Sequence, residues 1–334
     1  MRLNRKLSRG DLFPMARYRV LLTDYAWPEL DIERNTLAEV DAELIVAPQS
    51  DEPTLVQLAE DVDAILTCWA RVTRPVIDAS SKLRIIGRLG IGLDNIDVAH
   101  ATSRRVLVTN VPDYCLDEVA EHALALIFAL ARKVAFYHGA TKHGRYNLKA
   151  GLPLWRVRGK TLGIVGLGNI GRRLAEKAVG VGLNVVATGR QRRDLPEGIE
   201  WLPLDDLLAR SDFVSLHVPA TPETAGMIST AQLARMKPTA FLINTSRGAL
   251  IDEVALADAL SRGVIAGAAL DVQQQEPPDL SKPPMNDSRV IVTPHAAFMS
   301  VESLVELRTR ASRQIADCLA SRTPENIVNA AQLA

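Results

Sequence analysis

The sequence predicts an α/β protein with two doubly wound parallel sheets. Short apolar runs rich in β-branched residues recur along both halves of the chain, and helical stretches separate most of them. This alternation is typical of parallel strands joined by helices that cover both faces of a sheet. The length of 334 residues points to about two domains.

The first half contains five predicted strands, and the helical segments between them indicate crossover connections. We expect these helices near 33–40, 53–60 and 74–80. The strands are expected at 18–23, 42–47, 63–68, 83–90 and 105–110.

A long helix is predicted at about 117–133. Its run ALALIFALA is too short to cross a bilayer. The same run is too apolar for a surface helix, so we expect it to be buried or to lie in an interface. The stretch that follows, 137–153, carries Gly, Lys and His and is predicted to be a loop.

The second half repeats the alternating pattern of the first. Helices are expected near 169–181, 229–235 and 252–262, and a last helix near 300–320. The strands are expected near 161–166, 183–188, 212–217, 239–244, 264–270 and 289–293.

Charge and cysteine content exclude several classes of protein. The 39 basic and 39 acidic residues balance, which leaves no electrostatic footprint for nucleic acid or an anionic membrane. Cys68, Cys115 and Cys318 lack metal or redox spacing, so we expect reduced thiols, a cytoplasmic protein and no metal. Residues 1–16 are basic without the apolar core of a signal peptide, and we expect a disordered tail.

A glycine pattern in the second half predicts a dinucleotide site. Gly166, Gly168 and Gly171 form G-x-G-x-x-G between the strand TLGIV and a helix. The first glycine makes the tight turn, the second lets the backbone approach a pyrophosphate, and the third lets helix and strand pack closely. The phosphates would then lie on the helix N-terminus. The alternative is a glycine turn without a ligand.

The residues that end the next strand indicate which dinucleotide is bound. An NAD site carries an acidic residue there for the ribose 2′-OH. This chain has Gly189, followed by Arg190, Arg192 and Arg193. Guanidinium groups favour a 2′-phosphate, so we predict NADP(H), with NAD(H) also possible. The alternative is a solvated basic loop partly neutralised by Asp194.

Polar or backbone-donating groups follow four other predicted strands. They are the Gly90–Gly92 turn, Arg247, the segment from Asp271 to Glu276, and His295. Because ligands of open parallel sheets bind at the carboxyl ends of strands, these groups can converge. Taken one by one, they are also compatible with a surface arginine, an ordinary loop and a core histidine.

Seven stretches between about residues 84 and 298 resemble the D-isomer-specific 2-hydroxyacid dehydrogenase family. They are GIGLDNID, NVPDYCLDEVAEHALALIFALAR, TLGIVGLGNIGRRLA, HVPATPETAGMI, LINTSRGALIDEVAL, ALDV with a following EP, and TPHAAF. VPDYCLDEVAEHALAL is most similar to bacterial relatives of the C-terminal-binding proteins. TGRQRR is similar to glyoxylate/hydroxypyruvate reductases, for which the family implies a preference for NADPH.

The resemblance implies a domain arrangement. A Rossmann cofactor domain, 113–298, would be inserted into a flavodoxin-like substrate-binding domain formed by 17–112 and 299–334. The helix near 117–133 would form much of a homodimer interface.

The resemblance also implies a catalytic set of Arg247, Glu276 and His295. Arg247 can bind the carboxylate of a 2-oxo acid and polarise its ketone. The backbone N–H groups of Gly90, Ile91 and Gly92 can hold the same carboxylate. His295 would give a proton to the ketone oxygen, and Glu276 would accept its other N–H and favour the protonated imidazole.

Further contacts to the cofactor are implied at the strand ends and the helix N-terminus. His217 would form part of the pocket wall and would not transfer protons. The remaining histidines, His100, His122, His138 and His143, are expected to be structural or solvated. The implied cofactor contacts are Asn169, Ile170, His217, Val218, Pro219, Thr224, Thr245, Ser246 and Asp271.

The expected function is therefore NADPH-dependent reduction of glyoxylate, hydroxypyruvate or a similar small 2-oxo acid, with D-stereospecificity. The alternative is a nucleotide-sensing interaction module of the C-terminal-binding-protein type with little turnover. The intact set of Arg247, Glu276 and His295 argues against a purely binding role.

Overall fold

The computed structural model describes residues 16–191 and 195–333, and the chain divides into two compact units. The first comprises the described residues through Tyr114 and those from Leu304 onward, and the second is Cys115–Ser303. Their boundaries lie a few residues beyond the expected ones at 112 and 298. Each unit is an α/β structure around a parallel sheet, which confirms the predicted fold class. The binding role of each unit stays a prediction, and the expected tail lies outside the described residues except for Ala16.

The first unit has a five-stranded parallel sheet. Its strands are β1 (Tyr18–Leu22), β2 (Ala42–Val46), β3 (Ala64–Thr67), β4 (Ile85–Arg88) and β5 (Leu107–Thr109). Its helices are α1 (Asp31–Ala38), α2 (Glu52–Ala59), α3 (Arg74–Asp78), α4 (Val98–Ser103), most of α11 (Val301–Leu319) and α12 (Ala330–Leu333). The strand order β2-β1-β3-β4-β5 is the flavodoxin-like order.

The centre of this sheet is buried on both faces. Every residue of β3 and β4 is buried, which explains why these segments read as continuous apolar runs without alternation. Leu21, Ile65 and Ile86 are fully buried, and each such side chain stabilises the fold by about 1.5–3 kcal/mol.

A buried ion pair attaches α11 to α1. Arg308 donates from Nε and Nη2 to the two carboxylate oxygens of Glu33, each at 2.8 Å. Its Nη1 donates to Glu29 at 2.6 Å. Removing one partner of such a pair costs about 3–5 kcal/mol, because it leaves a buried charge uncompensated. Helix α11 is therefore a structural part of the first unit.

The second unit has a seven-stranded parallel sheet. Its strands are β6 (Thr161–Val165), β7 (Asn184–Thr188), β8 (Glu200–Trp201), β9 (Phe213–Leu216), β10 (Phe241–Asn244), β11 (Gly267–Leu270) and β12 (Val290–Val292). Its helices are α5 (Leu116–Arg132), α6 (Val134–Lys142), α7 (Asn169–Gly180), α8 (Leu204–Arg210), α9 (Thr230–Leu233) and α10 (Glu253–Ser261). The strand order is β12-β11-β10-β9-β6-β7-β8.

Helix α5 is the long apolar helix that the sequence predicts. Ala120, Ala123, Ile127 and Ala131 are fully buried in the core of the second unit. Its apolar composition is therefore explained by packing inside its own unit. In the part of the chain that the structure describes, no helix combines the length and hydropathy needed to cross a membrane.

The loop predicted at 137–153 is wrong in its first part, because α6 (Val134–Lys142) begins directly after α5. Lys133 separates the two helices and adopts a left-handed conformation with φ of 51°. Gly139 and the mixed polar sequence hide the helical period from a reading of the sequence alone. Among the helices and strands named above, α4, α8, α12 and β8 also went unpredicted, because segments of two to seven residues carry little periodicity.

Candidate active site

Six neighbouring strands of the second sheet end at residues that the sequence predicts to be functional. In spatial order the strands are β12, β11, β10, β9, β6 and β7. Because all of them are parallel, their carboxyl ends lie on one edge of the sheet, where ligands of such folds bind. The residues that follow them are, in the same order, His295, Asp271, Thr245–Arg247, His217, Gly166–Gly168 and Gly189.

The glycine turn after β6 has the geometry of a phosphate cradle. Gly166 has φ of 103°, and a Cβ there would lie 2.4 Å from the carbonyl oxygen of His217. A Cβ on Gly171 would lie 2.2 Å from the oxygen of Gly166, so this glycine permits helix and strand to pack. A Cβ on Gly168 would meet nothing within 4 Å, which leaves open space above the N-terminus of α7. Asn169 and Ile170 begin that helix. These residues fit a dinucleotide pyrophosphate.

The end of β7 carries no carboxylate among its described residues. Gly189 and Arg190 are exposed, and a Cβ on Gly189 would lie 3.2 Å from the indole of Trp201. Arg190 is close enough to Glu223 to contribute to lowering the pKa of that carboxyl group, a shift caused mainly by a hydrogen bond with Thr221. The predicted contact at Arg192 lies outside the described residues.

The residues after β9 form a polar turn. The Nε2 atom of His217 lies 2.8 Å from the hydroxyl of Ser215, and burial lowers the pKa of His217 to about 4. The imidazole is therefore neutral near pH 7, which is consistent with a residue that lines the cofactor pocket without transferring protons. The hydroxyl of Thr224 donates to the carbonyl of Pro219 at 2.7 Å, so it holds its own turn together.

The residues after β10 are organised by local hydrogen bonds. The hydroxyl of Ser246 donates to the carbonyl of Val218 at 2.6 Å, which joins the ends of β10 and β9. Arg247 is half-buried and donates from Nη1 to the carbonyl of Ser246 at 2.8 Å. Thr245 is buried, and its hydroxyl has no hydrogen-bond partner within residues 16–191 and 195–333. A buried hydroxyl of this kind is available to a ligand.

Gly248 brings the Arg247 turn against the segment that carries Glu276. A Cβ on Gly248 would lie 2.0 Å from the backbone of Gln273. The N–H of Gln273 in turn donates to Oε1 of Glu276 at 3.1 Å. Only glycine permits this approach, so one contact links two predicted catalytic segments that are separated in the sequence.

His295 and Glu276 form a hydrogen-bonded pair. Nδ1 of His295 lies 2.8 Å from Oε2 of Glu276, and both side chains are partly exposed. Burial raises the pKa of Glu276, but the hydrogen bond and charge of His295 lower it, and the net result is a pKa below the ordinary value. A carboxylate on Nδ1 fixes the tautomer and leaves Nε2 to face a reactant.

Asp271 organises the loop that carries His295. Its side chain is fully buried, and its carboxylate accepts the N–H groups of Ala296 and Ala297, each at 2.9 Å. The hydroxyl of Thr293 donates to Oδ1 of Asp271 at 2.6 Å. The backbone N–H of His295 donates to the carbonyl of Asp271 at 2.8 Å. Asp271 therefore anchors this loop, and its contact with the cofactor stays a prediction.

His122 also belongs to this cluster, in addition to the predicted residues. It projects from α5, and its Nε2 lies 3.1 Å from the hydroxyl of Thr293 and 3.5 Å from Oδ1 of Asp271. From the sequence, His122 is expected to be structural or solvated. No local signal marks it, because its partners lie more than a hundred residues away in the sequence. His100 instead contacts Asp78 in the first unit, and His143 contacts the carbonyl oxygen of Gly139.

The Gly90–Gly92 turn belongs to the first unit and follows β4. The carbonyl of Gly90 accepts the N–H of Val111 at 3.1 Å, and the carbonyl of Ile91 accepts the side-chain amide of Asn110 at 2.6 Å. These bonds hold the turn at the carboxyl edge of its own sheet, as a ligand-binding turn requires.

No metal-binding cluster is found in the part of the chain that the structure describes. There, no group of three or more His, Cys, Asp or Glu side chains is arranged so that it could hold an ion.

Comparison with known proteins gives a consistent family. Residues 124–297 match the sequence model of the D-isomer specific 2-hydroxyacid dehydrogenase, NAD binding domain. The chain is 40% identical to the glyoxylate reductase of Korarchaeum cryptofilum over 85% of its own length and 87% of the relative. It is also 40% identical to D-3-phosphoglycerate dehydrogenase of Synechocystis sp., over 86% of its own length but only 52% of the relative.

A solved structure with a bound cofactor has a similar fold. The NADPH-dependent glyoxylate/hydroxypyruvate reductase of Sinorhizobium meliloti, in complex with NADP and malonate, superposes with a TM-score of 0.84 at 28% identity. The match covers 95% of this chain and 98% of that one.

Proposed function

The chain belongs to the D-isomer-specific 2-hydroxyacid dehydrogenase family, and on this premise we propose that it catalyses NADPH-dependent reduction of a small 2-oxo acid with D-stereospecificity. Glyoxylate and hydroxypyruvate are the first candidates, because the glyoxylate reductase and the hydroxypyruvate reductase among the relatives match this chain over 87% and 94% of their own length, whereas the phosphoglycerate dehydrogenase of Synechocystis sp. matches over only 52%. The observation that carries the proposal is the His295–Glu276 pair, which stands on the same sheet edge as the glycine cradle.

The proposed roles follow from the chemistry of each group. Bound NADPH would supply the hydride. Arg247 would bind the substrate carboxylate and polarise its ketone with planar donors. In the first unit, the backbone amides of Gly90, Ile91 and Gly92 are the proposed anion-binding groups. His295 gives the proton from Nε2 to the ketone oxygen, while Glu276 stabilises the imidazolium through Nδ1.

A panel of substrates tests this function. The purified protein should oxidise NADPH with glyoxylate or hydroxypyruvate, and chiral chromatography should identify a D-product when the product is chiral. Phosphohydroxypyruvate belongs in the panel, since phosphoglycerate dehydrogenases are also relatives. His295→Ala should lower kcat by about 10²–10⁴ with little change in NADPH affinity, as loss of a general acid does. Absence of turnover on every 2-oxo acid would instead favour a nucleotide-sensing binding module.

The preference for NADP(H) rests on the end of β7. Gly189 lacks a carboxylate that would repel a 2′-phosphate, and the exposed Arg190 can form a bidentate contact with it. The solved reductase that binds NADP supports the same assignment by similarity. Glu223 lies near Arg190 and would compete with the 2′-phosphate for its charge, so we propose that NADH also binds.

Arginine variants test this preference. Arg190→Ala should raise the KM for NADPH about tenfold or more, the effect of losing one charge-assisted contact, and should leave the KM for NADH unchanged. The control is Arg262→Ala, an exposed arginine of α10's C-terminal end that pairs with Asp258. The double variant Gly189→Asp with Arg190→Ile should shift preference toward NADH. Equal losses with both cofactors would contradict the 2′-phosphate assignment.

A homodimer is proposed through α5 and the segment that follows it. The segment exposes large apolar side chains, with Tyr146 93% and Leu148 81% exposed. Monomeric proteins seldom expose such clusters. Light scattering of the wild type and of a variant with Tyr146→Asp and Leu148→Asp tests it, since the variant should become monomeric.

A cytoplasmic location is proposed from the cysteines. Cys68, Cys115 and Cys318 are buried and form no disulfide, and burial raises the pKa of Cys68 to about 12. Unreactive, reduced thiols are typical of proteins in a reducing compartment. Fractionation of the cells in which the protein naturally occurs tests the location.

A further inference from the structure

We infer that His122 is a positioning residue for the proposed reaction, acting through Thr293 and Asp271 to hold the backbone of His295 in place. The inference rests on the proposed function, since it assigns a role in the same site. It concerns a side chain that the family motifs do not place in the catalytic set.

The three side chains form a chain of contacts inside the second unit. Nε2 of His122 lies 3.1 Å from the hydroxyl oxygen of Thr293 and 3.5 Å from Oδ1 of Asp271. The hydroxyl of Thr293 lies 2.6 Å from the same Oδ1. The Asp271 side chain has no surface exposed to solvent, whereas 25% of the His122 side-chain surface is exposed.

The number of hydrogens decides the direction of each bond. The Asp271 carboxylate accepts the N–H groups of Ala296 and Ala297, the pattern of an acceptor-only group. The single hydrogen of the Thr293 hydroxyl must therefore go to Asp271. Toward His122, the same hydroxyl can only accept, so Nε2 of His122 must carry a hydrogen and donate it.

His295 depends on this arrangement because its backbone is strained. Its φ of 52° lies in the left-handed region, which costs about 1–2 kcal/mol for a residue other than glycine. Such a conformation persists only when the surroundings hold it. Asp271 does so from both sides, through its carbonyl to the N–H of His295 and through its carboxylate to the next two residues. Loosening Asp271 would let His295 relax away from the proton-transfer position.

Helix α5 offers a matched control one turn before His122. Glu118 accepts a hydrogen bond from the hydroxyl of Ser300 at 2.7 Å. Glu118 thus contacts the same loop from the same face of α5, but it does not touch Asp271 or Thr293 among the described contacts. A purely structural role of this helix face would make both residues equivalent.

Kinetics separates positioning from structure. With NADPH and a saturating 2-oxo acid, His122→Leu should lower kcat about tenfold, the effect of one lost hydrogen bond to a charged network, while the KM for NADPH stays within about threefold. The primary isotope effect from NADPH deuterated at the transferred position should increase. His122→Gln should restore most of kcat, because its amide can donate from the position of Nε2. Glu118→Leu, which likewise removes a hydrogen bond to this loop, should behave as wild type in kcat and isotope effect. Equal kcat in His122→Leu and wild type, or equal losses at 118 and 122, would overturn the inference.

A measurement without turnover distinguishes failure of this inference from failure of the proposed function. In the full-length protein labelled with ¹⁵N-histidine, NMR should show Nε2 of His122 protonated, as the neutral Nε2–H tautomer or as imidazolium. Thr293→Val should shift that signal. A neutral Nδ1–H tautomer would refute the hydrogen-bond direction even in an active enzyme, whereas a protonated Nε2 in a protein without turnover would refute only the function.

Discussion

Alanine substitutions at two glycines of the cradle should separate binding from folding. Gly168→Ala adds a methyl group to a residue with φ of −81°, where its Cβ meets nothing within 4 Å. Gly171→Ala adds the same methyl group 2.2 Å from a backbone oxygen. The first substitution should therefore act on the ligand and the second on the fold.

The structure sets the size of each effect. Alanine at the helix N-cap position of Gly168 costs about 0.5 kcal/mol, because glycine is the better N-cap residue, and should lower Tm by about 1–2 °C. The methyl group occupies the space of the pyrophosphate and should weaken dinucleotide binding about tenfold or more, or about 1.4 kcal/mol. At Gly171, displacing a backbone oxygen by about 1 Å amounts to overpacking, which costs about 1–3 kcal/mol and lowers Tm by several degrees.

Two assays on the same samples check this. Thermal denaturation gives Tm without ligand, and titration followed by nicotinamide fluorescence gives Kd for NADPH and NADH. If Gly168→Ala binds both dinucleotides within twofold of wild type, the open space above this glycine is not the phosphate site. If Gly171→Ala is as stable as wild type, the close packing of α7 on β6 was overestimated.

Three further predictions concern protons and specificity. Because Glu276 has a lowered pKa through its bond with His295, Glu276→Gln should shift the pH profile of reduction about one unit lower, and an unchanged kcat/KM profile would remove Glu276 from the proton chemistry. His217 has a pKa of about 4 in the folded protein, against 6.5 in the unfolded chain. Between these two pH values the unfolded chain binds a proton that the folded protein does not bind, so the stability of the fold is fully present above pH 6.5 and falls as the pH is lowered toward 4. The free energy of unfolding falls by at most about 3 kcal/mol, since the ring keeps some exposure. Urea denaturation at pH 7.5 and 4.5 should show that this free energy depends less on pH in His217→Gln than in the wild type. An equal dependence in both proteins would contradict the assignment. Trp69 is 37% exposed and follows β3 at the carboxyl edge of the first unit's sheet, where ligands of such folds bind. Trp69→Ala should therefore change kcat/KM for 2-oxo acids with large side chains more than for glyoxylate, and a uniform change across the series would exclude it from substrate selection.

Helix α5 and the strand ends illustrate what could be read in advance. The apolar run of α5 predicts a buried helix because one face of a long helix must be covered, and Ala123 and Ile127 are indeed fully buried. Helix α6 escapes prediction from the sequence, because Gly139 and its polar neighbours leave little periodicity to detect. The interface expected for α5 stays a prediction, since the packing of its own unit already accounts for its composition.

The amino-acid sequence by itself determined the fold class and the glycine cradle, because both depend on local periodicity and on the rule that parallel strands end on one edge. The pairing of His295 with Glu276 was implied by the resemblance to the 2-hydroxyacid dehydrogenase family. Only the tertiary structure decided that His122 faces Asp271 and that Gly248 touches the backbone of Gln273. Such contacts join distant segments through packing, and the physical reason that they escape prediction is that no local pattern encodes which side chains packing will bring together.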